Sequence, residues 1–340
     1  MPSGNLIATP LDFRAPRGIR FRLATAALVC ALALTAASGA NPALSAPAGG
    51  PKKTDPAARP DFSAYQRMLD EFLSVISDRG QPIETRFDYM RLHRTSDWGG
   101  RFLRVREQLF ASPPSEFDER DRRAWAINAY NFLVIQTITE NLYEGMHRSL
   151  HRGTQVIYRP VVSSVRNIQI DDVAFFDAPL VEIGGVRYSL NTFERHFAFA
   201  DYDSTSRKPP PPALDPRVHF ALVCGSVGCP SLLPRAYRGD SLDRQLDFAV
   251  RNALASPTHL RWNNSTNRIE ASALFNWYPA DFGGYEAALM FVKKYAPASL
   301  RKEVSRIKVS WIPGIIPWNW DLNQNLDSET KPSTGARRSG

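Results

Sequence analysis

The chain has 340 residues, 43% of them hydrophobic and 22% charged, with a formal net charge of +8. That composition excludes a disordered or fibrous protein and allows one large domain or two small ones. Its basic residues form no stripe interleaved with aromatics, so no nucleic-acid partner is expected.

Arg14, Arg17, Arg20 and Arg22 precede an apolar run from Leu23 to Ala37, and the small residues Ser38, Gly39 and Ala40 follow. Positive flank, short apolar run and small-residue cleavage site together read as an export signal over residues 1–40. The run is shorter than the roughly 20 residues a membrane span needs. Cleavage is therefore expected to leave a periplasmic or secreted protein with no stable membrane insertion. It would also remove Cys30 and leave Cys224 and Cys229 in an oxidising compartment. Residues 41–60 are rich in Pro, Ala and Gly and read as a disordered linker.

Tyr65, Met68, Leu69, Phe72, Leu73 and Ile76 recur at helical spacing, and Gly80 with Pro82 stops that predicted helix. Phe102, Val105, Leu109 and Phe110 mark a second helix, closed by Pro113-Pro114. Glu119 to Leu142 begins charged and then turns apolar on every side, the pattern of a helix at the centre of a domain. Within it Asn128 and Asn131 are three apart and share a face, and if buried their amides must be hydrogen-bonded. Val181 to Tyr188 reads as a hairpin turning through Gly184-Gly185. A short helix over Thr192–Phe197 and an exposed proline-rich loop over residues 208–212 come next.

Val218 to Val223 is almost continuously apolar and is predicted to be a central strand. The loop Cys224–Pro230 follows it. Ser241 is placed as the N-cap of a helix that puts Leu242, Leu246, Ala249, Val250, Ala253 and Leu254 on one face. A hairpin pairs Leu260–Trp262 with Arg268–Glu270. Helices near Leu274–Tyr278, Tyr285–Tyr295 and Ala298–Val304 precede a short strand at Ile307–Ile312. Residues 324–340 read as a disordered tail. No internal repeat is present, so one domain over residues 61–323 is expected. Few strands separated by helices give an α+β class, a helix-rich domain around a small, mostly antiparallel sheet.

Five segments carry a resemblance when taken in order. They are Trp125 to Asn131, Tyr188 to Arg195, His219 to Ser226 with Cys229-Pro230, Leu274 to Tyr278 with Asp281-Phe282, and Trp320 to Asn323. Together they resemble the family called domain of unknown function 547, over about residues 65–323. The resemblance implies a fold and candidate residues but no substrate, and bacterial members similar to this chain are often exported. Plant members carry an added coiled coil that this chain lacks. Two departures stand out. Arg195 follows Glu194 where the family commonly has histidine, with His196 one place later, and Gly228 stands where many members have serine.

The segment from His219 to Pro230 concentrates the chemistry: a histidine, two thiols, two glycines and a serine. Gly225 and Gly228 allow backbone N–H groups to converge on an anion or an oxyanion, with Ser226 beside them. Three readings of the cysteines compete. Cys224 and Cys229, with four residues between them, form a disulfide. Alternatively Cys224 is a nucleophile served by a histidine. On a strand His219 would face away from Cys224, which leaves His196 as the base. Or Cys224, Cys229 and His219 bind a metal with His196 or Glu194, at a spacing that matches no standard zinc pattern.

Glu194 is placed to orient His219, as a carboxylate does in a triad. Asn128 and Asn131 either hold a ligand or fix loop backbone. Phe275, Trp277, Tyr278 and Phe282 are assigned to the core, and Trp311, Trp318 and Trp320 to a segment wrapped over it. Asn128, Glu194, His219 and Cys224 are expected to converge. The reading is an exported binding or structural domain with a polar pocket near His219 and Glu194 and a Cys224–Cys229 disulfide. Its partner would be a small molecule or peptide. The alternatives are a cysteine hydrolase or acyl-transferase and a metal-binding protein. No cofactor is implied, because P-loop, G-x-G-x-x-G and G-x-S-x-G motifs are absent.

Overall fold

The computed structural model describes residues 59–76, 82–142, 162–199, 215–307 and 314–325. The expected export signal, the linker up to residue 58, the proline-rich loop, Trp311 and most of the expected late strand lie outside these residues. No described helix is long and apolar enough to cross a membrane.

The chain opens with helix α1 (Ser63–Phe72), strands β1 (Leu73–Val75) and β2 (Thr85–Phe87), and helices α2 (Tyr89–Arg94) and α3 (Trp98–Leu109). Sequence periodicity runs α1 on toward Gly80, but the helix ends at Phe72. Leu73–Val75 instead pairs antiparallel with Thr85–Phe87, and the Ile76 N–H donates to the Glu84 carbonyl. Ile76 is 43% exposed, so an extra helical turn would have buried nothing there.

Helix α4 (Glu119–Glu140) is the buried centre. Asp118 caps it by accepting the Asp121 N–H, and its apolar-all-round second half is enclosed, with Trp125, Ile127 and Phe132 fully buried. Strands β3 (Gln169–Ile170), β4 (Val173–Ala174), β5 (Val181–Ile183) and β6 (Val186–Tyr188) then form two antiparallel hairpins. Helix α5 (Leu190–Phe193) starts with a reciprocal cap between Ser189 and Thr192. It runs on as one wider π-helical turn, Glu194–Ala198, closed by the Phe199 N–H on the Glu194 carbonyl.

The expected central strand Val218–Val223 does not form. Asp215 accepts the Arg217 N–H, Pro216 supplies a fixed φ, and Pro216–Phe220 coils into a 3-10 turn. Val218, His219 and Phe220 are all buried, and burial on every side makes a short turn as apolar as a buried strand. The partner such a strand would have had is replaced by one side chain. Asn131 Oδ1 accepts the Val223 N–H at 2.8 Å, and its Nδ2 donates to the Ala221 carbonyl at 3.0 Å.

Helix α6 (Leu242–Ala255) buries the six apolar residues expected of it. Ser241 precedes it without capping it, because its hydroxyl donates to Asp240 and Gln245. Strands β7 (Leu260–Asn263) and β8 (Arg268–Ser272) pair antiparallel, helices α7 (Leu274–Trp277), α8 (Gly284–Tyr295) and α9 (Arg301–Ser305) follow, and β9 (Gly314–Ile316) adds to β8 in parallel. The class is a helix-rich α+β domain with small, mostly antiparallel sheets. Residues 318–325 then form a strap. Val227 and Gly228 donate to Asp321 and Asn319, Asn323 donates to Gly225, and Ser164 Oγ donates to Trp320. Gln324 and Asn325 continue it against Phe87.

Candidate functional site

Where the π-helical turn, the 3-10 turn, the cysteine loop, α7 and the strap meet, a cleft of about 310 Å³ opens. Glu194, His219, Cys224 and Cys229 all line it, with Tyr130 from α4 and Tyr278 from the end of α7. Asn128 does not. Its amide pairs with the backbone of Tyr237, accepting the N–H at 2.9 Å and donating to the carbonyl at 2.8 Å. Asn128 and Asn131 thus use both halves of their amides to hold loop backbone, an inward hydrogen-bond pair that α4 offers to two irregular segments.

His219 Nε2 lies 2.9 Å from Asp281 Oδ2, and Arg195 Nη1 donates to the same oxygen at 2.6 Å. Glu194 is not the group that orients His219; Asp281 is. Burial pushes Asp281 up, but its hydrogen bonds from His219 and Arg195 outweigh this and hold it below the usual carboxylate range. Burial lowers the His219 pKa, with Asp281 opposing, so the ring is neutral at pH 7. The ionised Asp281 accepts the Nε2 proton, which leaves Nδ1 as an acceptor with no hydrogen bond to a described residue. The imidazole is stacked on Tyr278 at 4.3 Å and on Phe282 at 5.6 Å, so its plane is fixed.

Glu194 is 9% exposed. Burial raises its pKa to about 7, with Arg195 opposing and Asp281 and Cys224 adding to the rise. Its carboxyl makes no hydrogen bond to a described residue, and neither do the hydroxyls of Tyr130 and Tyr278. Desolvation raises both tyrosine pKa values, so the hydroxyls stay protonated.

The cysteine loop is packed from below and closed from above. Gly225 sits at φ +82°, and a Cβ there would strike Ile138. A Cβ on Gly228 would lie 2.8 Å from Trp318. The expected nest of free N–H groups is not formed by the loop's central residues. Val227, Gly228 and Cys229 donate to Asp321, Asn319 and Ser226, and the Cys224 N–H points at Cys229 Sγ, 3.1 Å away.

The two Sγ atoms are 2.6 Å apart, longer than the ~2.05 Å of a bonded pair. Ser226 Oγ accepts the Trp318 indole N–H at 2.9 Å and stands 3.2 Å and 3.3 Å from the two sulfurs. Cys229 and then burial push the Cys224 thiol well up. For Cys229 burial also acts upward, but the hydrogen bonds from Cys224 and Ser226 win and lower it. Among the described residues no histidine bonds to Cys224. His196 packs on Tyr188 and Phe197 instead of entering the cleft, and no group of three or more His, Cys, Asp and Glu is arranged to hold a metal.

Sequence reasoning missed Asp281, Arg195 and Tyr130 as site residues, assigned Tyr278 to the core although it lines the cleft, and misplaced Trp277. That residue is not core: it is 43% exposed on the cleft wall, whereas Phe275 and Phe282 are buried as expected. Trp277, Trp318 and Trp320 stand with ring centroids 4.9 to 5.9 Å apart and form one wall. Asp281 lies in one of the five ordered segments, and that was the available signal. His259 escaped notice too. It is buried behind the loop, its Nδ1 3.3 Å from Ser272 Oγ, and burial pushes it down to about 4, with the Cys229 backbone opposing.

No curated protein and no solved structure matches the chain. Residues 114–252 match the model of a family described as protein of unknown function, DUF547, a segment that holds Tyr130, Glu194, His219, Cys224 and Cys229 but not Asp281, Tyr278 or the tryptophan wall. The likeness to the DUF547 family rests on that segment.

Proposed function

We propose that this protein is an exported binding domain whose cleft takes up a small molecule or the end of a short peptide. One observation carries the reading. Glu194, Tyr130, Tyr278 and His219 Nδ1 converge on the cleft without a hydrogen bond to any described residue. They face the open space of the cleft: among the described residues the only fully buried side-chain polar atoms without a partner are Arg123 Nε, Glu303 Oε2 and Gln324 Oε1, none of them in the cleft. Polar groups gathered in a part-apolar concavity and left open are the usual mark of a ligand site.

We assign Cys224 and Cys229 to a disulfide in the exported form. Their sulfurs face each other across one short loop, and closing it stabilises the fold by about 2 kcal/mol in the chain-entropy model. A cysteine hydrolase has less support, since no described histidine bonds to Cys224 and its thiol is pushed up.

A ligand-observed NMR screen of small neutral and charged compounds tests the binding reading. Hits that weaken on Glu194→Gln and Tyr130→Phe, in variants with unchanged circular dichroism, are expected. A screen without hits, or with hits indifferent to both changes, contradicts it.

A further inference from the structure

The groups left open in the cleft also restrict what enters it; the argument rests on the binding reading above. His219 Nδ1 is an acceptor, because Asp281 holds the Nε2 proton. The Glu194 carboxyl offers acceptor oxygens, and the Tyr130 and Tyr278 hydroxyls both accept and donate. A ligand that satisfies them must bring several hydrogen-bond donors with acceptors beside them. Anions are disfavoured. Among the described residues no Lys or Arg lines the cleft, Arg195 is paired with Asp281, and Arg166 lies over Trp320 outside the lining.

The aromatic wall separates the remaining classes. A quaternary ammonium group is held best by a cage of rings that surround it. Here the rings contact one another. Trp277 and Trp320 are 5.8 Å apart and within 25° of parallel, and Trp318 lies 4.9 Å from Trp277, which leaves no room for an ammonium group between them. Trp277 lines the cleft and is 43% exposed, so it has ring surface to offer a ligand. An aromatic wall in the same cleft as acceptors and hydroxyls fits a ring with one C–H face and hydroxyls at its rim. The volume of about 310 Å³ is at the small end of ligand sites.

We propose that the cleft receives a neutral sugar ring. One face stacks on the Trp277–Trp320 wall, and the hydroxyls reach Glu194, Tyr130, Tyr278 and His219.

Isothermal titration of the full exported protein with cellobiose, maltose and N,N′-diacetylchitobiose tests this, with tetramethylammonium chloride and inorganic phosphate as the competing classes. The expected result is saturable binding of at least one disaccharide. Trp277→Ala should weaken it about tenfold and Trp277→Phe less, because phenylalanine keeps part of the stacking face. Leu103→Ala, an exposed change on α3, should leave it unchanged. If the fragment screen finds cleft ligands but no disaccharide binds, the sugar assignment is wrong and the binding reading survives. Saturation by tetramethylammonium or phosphate with silent sugars overturns the assignment in the same way. If neither fragments nor sugars bind, both fall.

Discussion

His219 and Asp281, sixty-two residues apart in the chain, meet at 2.9 Å, and Arg195 closes on the same carboxylate oxygen. One acidic side chain thereby sets the tautomer of the histidine and anchors the arginine stacked over Tyr278. Asp281→Asn keeps the shape and removes the charge. Since Asp281 raises the His219 pKa against burial, the variant's His219 should titrate lower still, read by NMR of the imidazole carbons. Stability should fall by about 2 kcal/mol, the order of a lost charge-assisted hydrogen bond. An unchanged His219 midpoint would show that Asp281 does not govern the ring.

Asn131 replaces a strand with a side chain, so its loss should be costly. Asn131→Ala leaves the Val223 N–H and the Ala221 carbonyl buried without partners. Each orphan costs about 1–3 kcal/mol, so urea denaturation should report a loss of about 2–6 kcal/mol. Asn131→Asp keeps the acceptor but loses the donor, and it buries a carboxylate. A loss below about 1 kcal/mol for the alanine variant would mean that segment 221–223 is held by packing alone.

Glu194 gives stability a definite slope with pH. Its carboxyl titrates near 7 in the folded chain and close to the ordinary 4.5 when unfolded. Between those values the native state holds a proton that the unfolded state has released, so stability falls as pH rises. The loss is complete above pH 7 and amounts to about 3 kcal/mol. Glu194→Gln removes the titration. Relative to wild type, the variant should gain about that much between pH 4.5 and 8, measured from denaturation midpoints. A constant difference across that range would place the Glu194 carboxyl at an ordinary pKa.

The cysteine assignment predicts a labelling pattern. If the chain is exported and processed as proposed, alkylation without reductant should leave its intact mass unchanged, and reduction should expose two sites. Reduced protein should unfold about 2 kcal/mol more easily. Two labels on unreduced protein would mean free thiols.

Much of the fold was legible, and what was not has physical causes. Periodicity found α4 and the six-residue face of α6 because their burial follows the helical repeat or surrounds it. It failed at Val218–Val223, where burial on all sides hides the difference between a strand and a tight turn. It overran at Leu73–Ile76, where backbone pairing with Thr85–Phe87 stopped a helix whose apolar pattern had not ended. At the site, Glu194, His219 and Cys224 could be named from residue type and shared motifs. Asp281 and Tyr278 could not be joined to them, since they come from a turn far along the chain. Asn128 and Asn131 were visible as buried amides, but only the backbone path of residues 221–223 and 237 shows what they bind.

The most direct test of the cleft as a ligand site is the indole region of the 15N–1H spectrum, recorded with the strongest compound from the screen. The cleft account predicts that the Nε1 signals of Trp277, Trp318 and Trp320 shift on titration, while those of the fully buried Trp125 and of Trp98, on the α3 side, stay in place. Shifts confined to Trp98, or none at all with a compound that binds, would put the ligand elsewhere and contradict it.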